Sequence, residues 1–351
     1  MAGGGMSRPV FVSEYGVLSP GGDSSLALLS ATLSGVSAVN VIKDLAVAVG
    51  SDYRAHFPRL ACLPGALEWE DRVELALRHL LDQSHPVLLI TPDQGAPQFS
   101  WMRDVLSLAD PEGRLEWVTV DALASVLSRQ VIRLRAGEIS ALSVFGLDSL
   151  VHPVNVMQLA AAAQLQTDKL PDGRAVGEGF AWFTLSCQPA PVEWQADAAG
   201  VEPNAGEMMP ASLLGLADTI SALKEGGELS RPRLIIHARA QAPRDDLEWH
   251  HASQRLWPAR LAPRENLAMR KGEQQAPQPA PPPWQQHLKP AKVTGELGAA
   301  AFPMAIALAC ERLCWSLAPA PQALVVDAGA QQARCAVWLK NTESQGCDSN
   351  E

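Results

Sequence analysis

Apolar residues recur along this chain in two alternating rhythms. Short runs such as "PVFVSEYGV", "HPVLLITP", "LEWVTV", "ISALSVFGL", "FAWFTLSC", "PRLIIHA", "ALVVDAG" and "RCAVWL" are continuous or alternate every second residue. That is the pattern of buried strands. Between them, "SSLALLSATLSGV", "WEDRVELALRHLLDQ", "VDALASVLSRQVIRLRAG", "MMPASLLGLADTISALKEGG" and "FPMAIALACERLCWSLA" space apolar residues three and four apart and predict helices. Several open near Asp, Ser or Pro and close on Gly, the residue types that satisfy the first free N–H groups and take the left-handed turn at the end. Strands alternating with helices predict an α/β fold. Residues 258–290 break the rhythm: rich in Pro, Gln and Arg, they read as an extended loop, stiff in "PQPAPPPW". The alanine run in "VMQLAAAAQLQT" (156–167) predicts a tightly packed core helix, with a subunit interface as the other use of such small residues.

The 351 residues are 47% apolar and 19% charged, enough for a large core. A net charge of −10 leaves no basic face for nucleic acid over the whole surface. From Arg231 to Lys271, however, nine Lys or Arg stand against four Asp or Glu, a local excess that suits an acidic partner as well as it suits a solvated mixed surface. The six cysteines show no CxxC spacing, so reduced thiols and a cytoplasmic setting are expected. "LGAAAFPMAIALAC" is too short and too interrupted to span a bilayer, and no export signal is recognisable.

The richest chemistry lies in "LIIHARAQAPRDDLEWHH" (234–251). Its His237, Asp245, Glu248, His250 and His251 do not make a metal motif, because His250 and His251 are neighbours about 100° apart on a helix and no HExxH is present. No phosphate-binding loop occurs either, so neither metal nor cofactor is expected. Asp245 and Glu248 suit the first turn of a helix, where carboxylates complement free N–H groups. Arg239, Arg244 and Trp284 are candidate partner-binding residues, the last being either a docking anchor or the cover of a local apolar patch. Cys187 follows a strand instead of opening a helix, where a reactive thiolate would be favoured, and it reads as an inert thiol, a displaced nucleophile being the other reading.

Four stretches, in order, resemble the β-ketoacyl synthases of the thiolase superfamily. They are "VFVSEYGVLSPGGDSSLALLSATLSGVSAV" (10–39), "RQVIRLRAGEISALSVFGLDSL" (129–150), "DGRAVGEGFAWFTL" (172–185) and "ALVVDAGAQQARCAVWL" (323–339). The resemblance implies a thiolase-like fold of two pseudo-symmetric halves in αβαβα layers: residues 1–190, then 191–345 with the Pro-rich insertion at 258–290, and a flexible tail at 346–351. It places His237 at the family's first catalytic histidine, with Asp245 and Glu248 eight and eleven residues on.

The same resemblance puts Val120 where the nucleophilic cysteine stands, Glu296 where the second histidine stands, and Ala330, Gln331 and Gln332 over the closing phenylalanine and double glycine. Valine forms no thioester, and a carboxylate beside a developing enolate raises the barrier. The expectation is a non-catalytic protein that works by binding another protein, as a homodimer or heterodimer. Degenerate members of this superfamily serve as chain-length factors beside an active synthase and accompany cargo of the type VI secretion system as adaptors or co-chaperones. The missing glutamine at position 120, the Pro-rich insertion and the basic stretch favour the accessory role. An acyltransferase with a relocated nucleophile is the further alternative.

Overall fold

The computed structural model describes residues 8–64, 85–92, 99, 103, 115–203, 212–224, 230–241, 246–258, 284–328 and 332–343. A five-strand unit is built twice. The first copy uses β1 (Phe11–Leu18), β6 (Val87–Thr91), β7 (Leu115–Thr119), β8 (Ala141–Ser149) and β9 (Val176–Ser186), in spatial order β1-β9-β8-β6-β7. The second uses β10 (Val192–Val201), β11 (Leu234–His237), β12 (Gln286–Leu288), β13 (Gln322–Ala328) and β14 (Ala333–Asn341), in order β10-β14-β13-β11-β12. In both copies the first two pairings are antiparallel and the last two parallel. Strands β1 and β10 join the copies through Phe11–Glu193 and Val12–Val192. The short strands β2 (Asn40–Val41), β3 (Val47–Val49), β4 (Asp52–His56) and β5 (Arg59–Ala61) lie outside this repeat; β5 pairs with β9.

Helices fill the crossovers. They are α1 (Ser25–Ser34), α2 (Val120–Ala136), α3 (Pro153–Ala161), α4 (Gly215–Ala222), α5 (Leu247–Leu256), α6 (Ala291–Thr294) and α7 (Ala301–Cys314). Helices α2 and α7 occupy equivalent places in the two copies, and each touches strands of both copies, so they form a central layer between the sheets. Their sequences differ because their surroundings do. Helix α7 is buried at all but Glu311 and Cys314, and its Pro303 is tolerated in the first turn, where no helical N–H is required. Helix α2 is amphipathic and ends on Gly137 at φ 76°, whose N–H closes on the Arg133 and Leu134 carbonyls. On the outer face of the second sheet, α4 and α5 bury Leu216, Ile220, Trp249 and Ala252, each large side chain contributing about 1.5–3 kcal/mol.

Two expectations are corrected. The alanine helix stops at Ala161 and buries only Asn155, Val156 and Ala160; Ala161–Gln164 are exposed and Ala163 takes φ 52°. Within the chain the small side chains there meet no packed neighbour, so the core-helix reading fails. The loop read over 258–290 ends in a strand: β12 pairs with β11 and Leu288 is buried. The rest of that loop, 259–283, lies outside the described residues, as do "WEDRVELALRHLLDQ" and the tail.

Candidate functional site

The parallel strands β11 and β13 end side by side, and a cavity of about 190 Å³ opens beyond them against the starts of α4 and α5. His237 ends β11 and is 4% exposed. Its Nε2 lies 3.0 Å from Nδ1 of His287 on the neighbouring β12, and Trp249 of α5 meets the ring edge-on. Burial, then His287, then Lys289 hold His237 well below the ordinary histidine range, so it is neutral near pH 7.

Two residues further on, Arg239 is drawn inward. Its side chain is 9% exposed; Nε donates to Asp327 Oδ1 at 2.8 Å and Nη1 to the Gly298 carbonyl at 2.8 Å. Glu296 Oε1 stands 3.7 Å from Nη1, while Glu296 Oε2 accepts from Arg174 Nη1 at 3.1 Å. Burial alone would lower the Arg239 pKa; Asp327 and Glu296 outweigh it and raise it. Arg239 is therefore locked into the chain's own carboxylates, which corrects its reading as a partner-binding residue.

Glu296 is positioned by backbone. Its N–H donates to the Ala175 carbonyl and its carbonyl accepts from Gly177 N–H, both at 2.9 Å. A Cβ at position 177 would lie 2.0 Å from the Thr294 carbonyl oxygen, so the approach needs glycine. The carboxylate that looks electrostatically misplaced in the sequence is thus neutralised by two arginines. Gln241 closes the neighbouring wall: Oε1 accepts from Ala175 N–H at 3.0 Å and Nε2 donates to the Ala175 carbonyl at 2.8 Å. Gln241 also borders a second, wider cleft of about 780 Å³.

Glu248 does not serve its own helix. It accepts from Leu216 N–H at the start of α4 at 2.9 Å, and from Arg334 Nε of β14 at 2.8 and 3.0 Å. This buried pair ties α5, α4 and the second sheet together. Its neighbour Asp246 pairs with Lys289.

Val120 opens α2 directly after β7, half-buried against the central core. It lines a crevice of only about 10 Å³ with Leu123, Ala124, Asp327, Arg334 and Cys335. Cys335 is buried, and burial followed by Asp327 and Asp197 pushes its thiol well above the usual range. Cys187 donates to the Leu134 carbonyl at 3.3 Å. Trp284 is 63% exposed. Asp245, Arg244 and Ala330 lie outside the described residues. Among the described residues no three His, Cys, Asp or Glu side chains gather as a metal site requires, and no helix is long and apolar enough to cross a membrane.

The structure thus brings His237, Arg239 and Glu296 to one cavity and adds His287, Arg174, Asp327 and Arg334, which the motif reading missed. A charged residue inside an apolar strand, as in "LVVDAG" or "ARCAVWL", was the available signal, because a buried charge demands a partner.

No family model matches the sequence, and no curated protein matches it. Among solved structures the chain is similar to a chain of a complex described as a type II polyketide synthase acyl-carrier protein with its ketosynthase bound to the hexaketide, with TM-score 0.65, 13% identity and coverage of 95% of this chain and 100% of that one. It is also similar to the ishigamide ketosynthase/chain length factor, with TM-score 0.62, 13% identity and coverage of 95% and 99%. A ketosynthase domain of the Streptomyces albus oxazolomycin synthase gives TM-score 0.67, 10% identity and coverage of 95% and 75%. At these identities the likeness is one of fold, and the fold is thiolase-like.

Proposed function

We propose that this chain is a non-condensing ketosynthase-fold protein that works by binding another protein. The observation that carries the reading is the Arg239–Asp327–Glu296 assembly, which fills with paired charge the region that the family resemblance assigns to thioester polarisation. Condensation requires a thiolate, donors aimed at a developing oxyanion and room for an acyl chain. The helix start that the family resemblance assigns to the nucleophile carries Val120, the crevice beside it holds about 10 Å³, and the nearby Cys335 thiol is held protonated. A relocated nucleophile gains no support from Cys187, which is hydrogen-bonded to a helix end and has no helix start beside it.

In its finer form the proposal is an accessory protein, a co-chaperone or adaptor for a type VI secretion effector, supported by the basic 231–271 stretch and the Pro-rich insertion. A second reading, a chain-length-factor-like partner of an active synthase, draws on the likeness to the ishigamide ketosynthase/chain length factor over nearly its whole length. Incubation with acyl-carrier thioesters followed by intact mass is expected to show no adduct; an adduct that turns over would overturn the non-condensing reading. Co-purification of the tagged chain from its native cell separates the partners: a synthase subunit supports the second reading, a secreted effector the first.

A further inference from the structure

Among the described residues strand β12 is the outer strand of its sheet, and it contains three residues. Gln286 N–H donates to the Arg233 carbonyl at 2.8 Å, so the alternation of a parallel ladder turns the N–H and C=O of His287 toward the free side. Successive side chains also point to opposite faces, and on each face an arginine is incompletely satisfied. On the face shared with α7, Arg312 is 7% exposed; Nε donates to Gln286 Oε1 at 3.0 Å, Nη1 is buried with no partner, and no carboxylate among the described residues pairs with it. Burial lowers the pKa of this guanidinium with nothing opposing it. On the other face Arg231 reaches Gln285 Oε1 at 3.4 Å and its Nε is buried without a partner. Exposed Arg233 lies beside them, and among the described residues the one ion pair of these edge cations is Lys289 with Asp246. Trp284, 63% exposed, leads into the strand.

A buried guanidinium without a counter-ion is costly, and an open edge is a template for another strand. We infer that the free edge of β12 docks an extended acidic segment of the partner protein, adding a strand beside His287 while its carboxylates answer Arg231, Arg233 and Arg312. The inference rests on the protein-binding reading above and names the surface and the partner's chemistry. Charge decides the occupant. The chain's own residues 259–283 carry Arg260, Arg264, Arg270 and Lys271 against Glu265 and Glu273, so like charge disfavours them as occupants of this edge.

The test uses full-length protein and two fluorescein-labelled peptides, an eight-residue alternating Glu-Val and its Lys-Val counterpart, read by fluorescence anisotropy. Glu-Val is expected to bind at least tenfold tighter than Lys-Val and to weaken as salt rises. His287→Pro, which removes the outward donor, should cut that affinity about tenfold, whereas His287→Ala, which keeps it, should change it less than twofold. Arg231→Glu with Arg233→Glu, both near the surface, gives the same loss should His287→Pro melt early. Equal binding of the two peptides, no binding, or equal behaviour of the Pro and Ala variants would overturn the inference. If a partner still co-purifies with His287→Pro, only the surface assignment fails and the protein-binding reading stands.

Discussion

Two buried arginine–carboxylate assemblies face the same cavity and are built differently. In the first, Arg334 holds both oxygens of Glu248, and the same carboxylate accepts the Leu216 N–H at the start of α4. In the second, Arg239 spans Asp327, Gly298 and Glu296 and keeps a buried Nη2 without a partner. The first joins three secondary-structure elements and caps a helix. The second fills space at the end of two parallel strands and is less completely satisfied. One is a strut and the other a plug, and buried ion pairs are poor evidence of stability unless every hydrogen bond is made.

The largest expected effect sits on the strut. Glu248→Ala takes from buried Arg334 the carboxylate that holds its Nε and from the Leu216 N–H its acceptor, so a loss of about 3 kcal/mol is expected in urea unfolding. A loss below about 1 kcal/mol would erase the distinction. Replacing Arg334 as well should not restore stability, because the α4 amide stays orphaned.

The plug should behave otherwise. Arg239→Met alone strands buried Asp327 and is expected to cost about 3 kcal/mol. Combined with Asp327→Leu it should return to within about 1 kcal/mol of the parent, since Glu296 keeps Arg174. A double variant as unstable as the single one would make the plug a structural tie like the other.

How much of this was legible in the sequence depends on reach. The strands and helices with clear periodicity, from β1 through α2 to α7, were readable because period is a local property. Strand β10 was not read as a strand: in "VEWQADAAGV" polar residues interrupt any apolar run, although Val192 and Trp194 are buried. Strand β12 was hidden inside a Pro- and Gln-rich stretch. In the site, His237 was readable from its strand end and the resemblance. Its partner His287 lies 50 positions away, Asp327 lies 88 from Arg239, and Arg334 lies 86 from Glu248. Such pairs form only when separate strand ends converge, and no local rhythm records them. Arg239 itself was misassigned for this reason: an arginine in a turn reads as surface until its carboxylates are seen.

Acid separates the assemblies from the histidines beside them. His237 and His287 have pKa values below the unfolded histidine value, each chiefly through burial, with Lys289 adding to both. The unfolded chain therefore binds more protons as pH falls through about 6.5, and stability is present above that value and lost below it. Buried His237 contributes a slope of at most about 1.4 kcal/mol per pH unit, and exposed His287 less because solvent screens it. His237→Gln should flatten unfolding free energy between about pH 6.5 and 5 relative to the parent, leaving the shares due to His287 and to His85, whose burial shifts it the same way. An unchanged slope would mean that His237 is protonated in the folded protein.

The smallest stability effect is expected at Val120, and it sharpens the comparison most. Val120→Cys is nearly isosteric and half-buried, so unfolding should shift by less than about 1 kcal/mol. It places a thiol at a helix start, where the macrodipole favours thiolate while Asp121 in the first turn opposes it. If the plug bars the site, intact mass after incubation with an acyl-carrier thioester shows no acyl adduct on this variant, because the crevice of about 10 Å³ admits no acyl chain and Gln241 bonds across to Ala175. If the introduced thiol loads, then Arg239 and Glu296 are no barrier, and the distance between this chain and a working synthase is one sulfur atom.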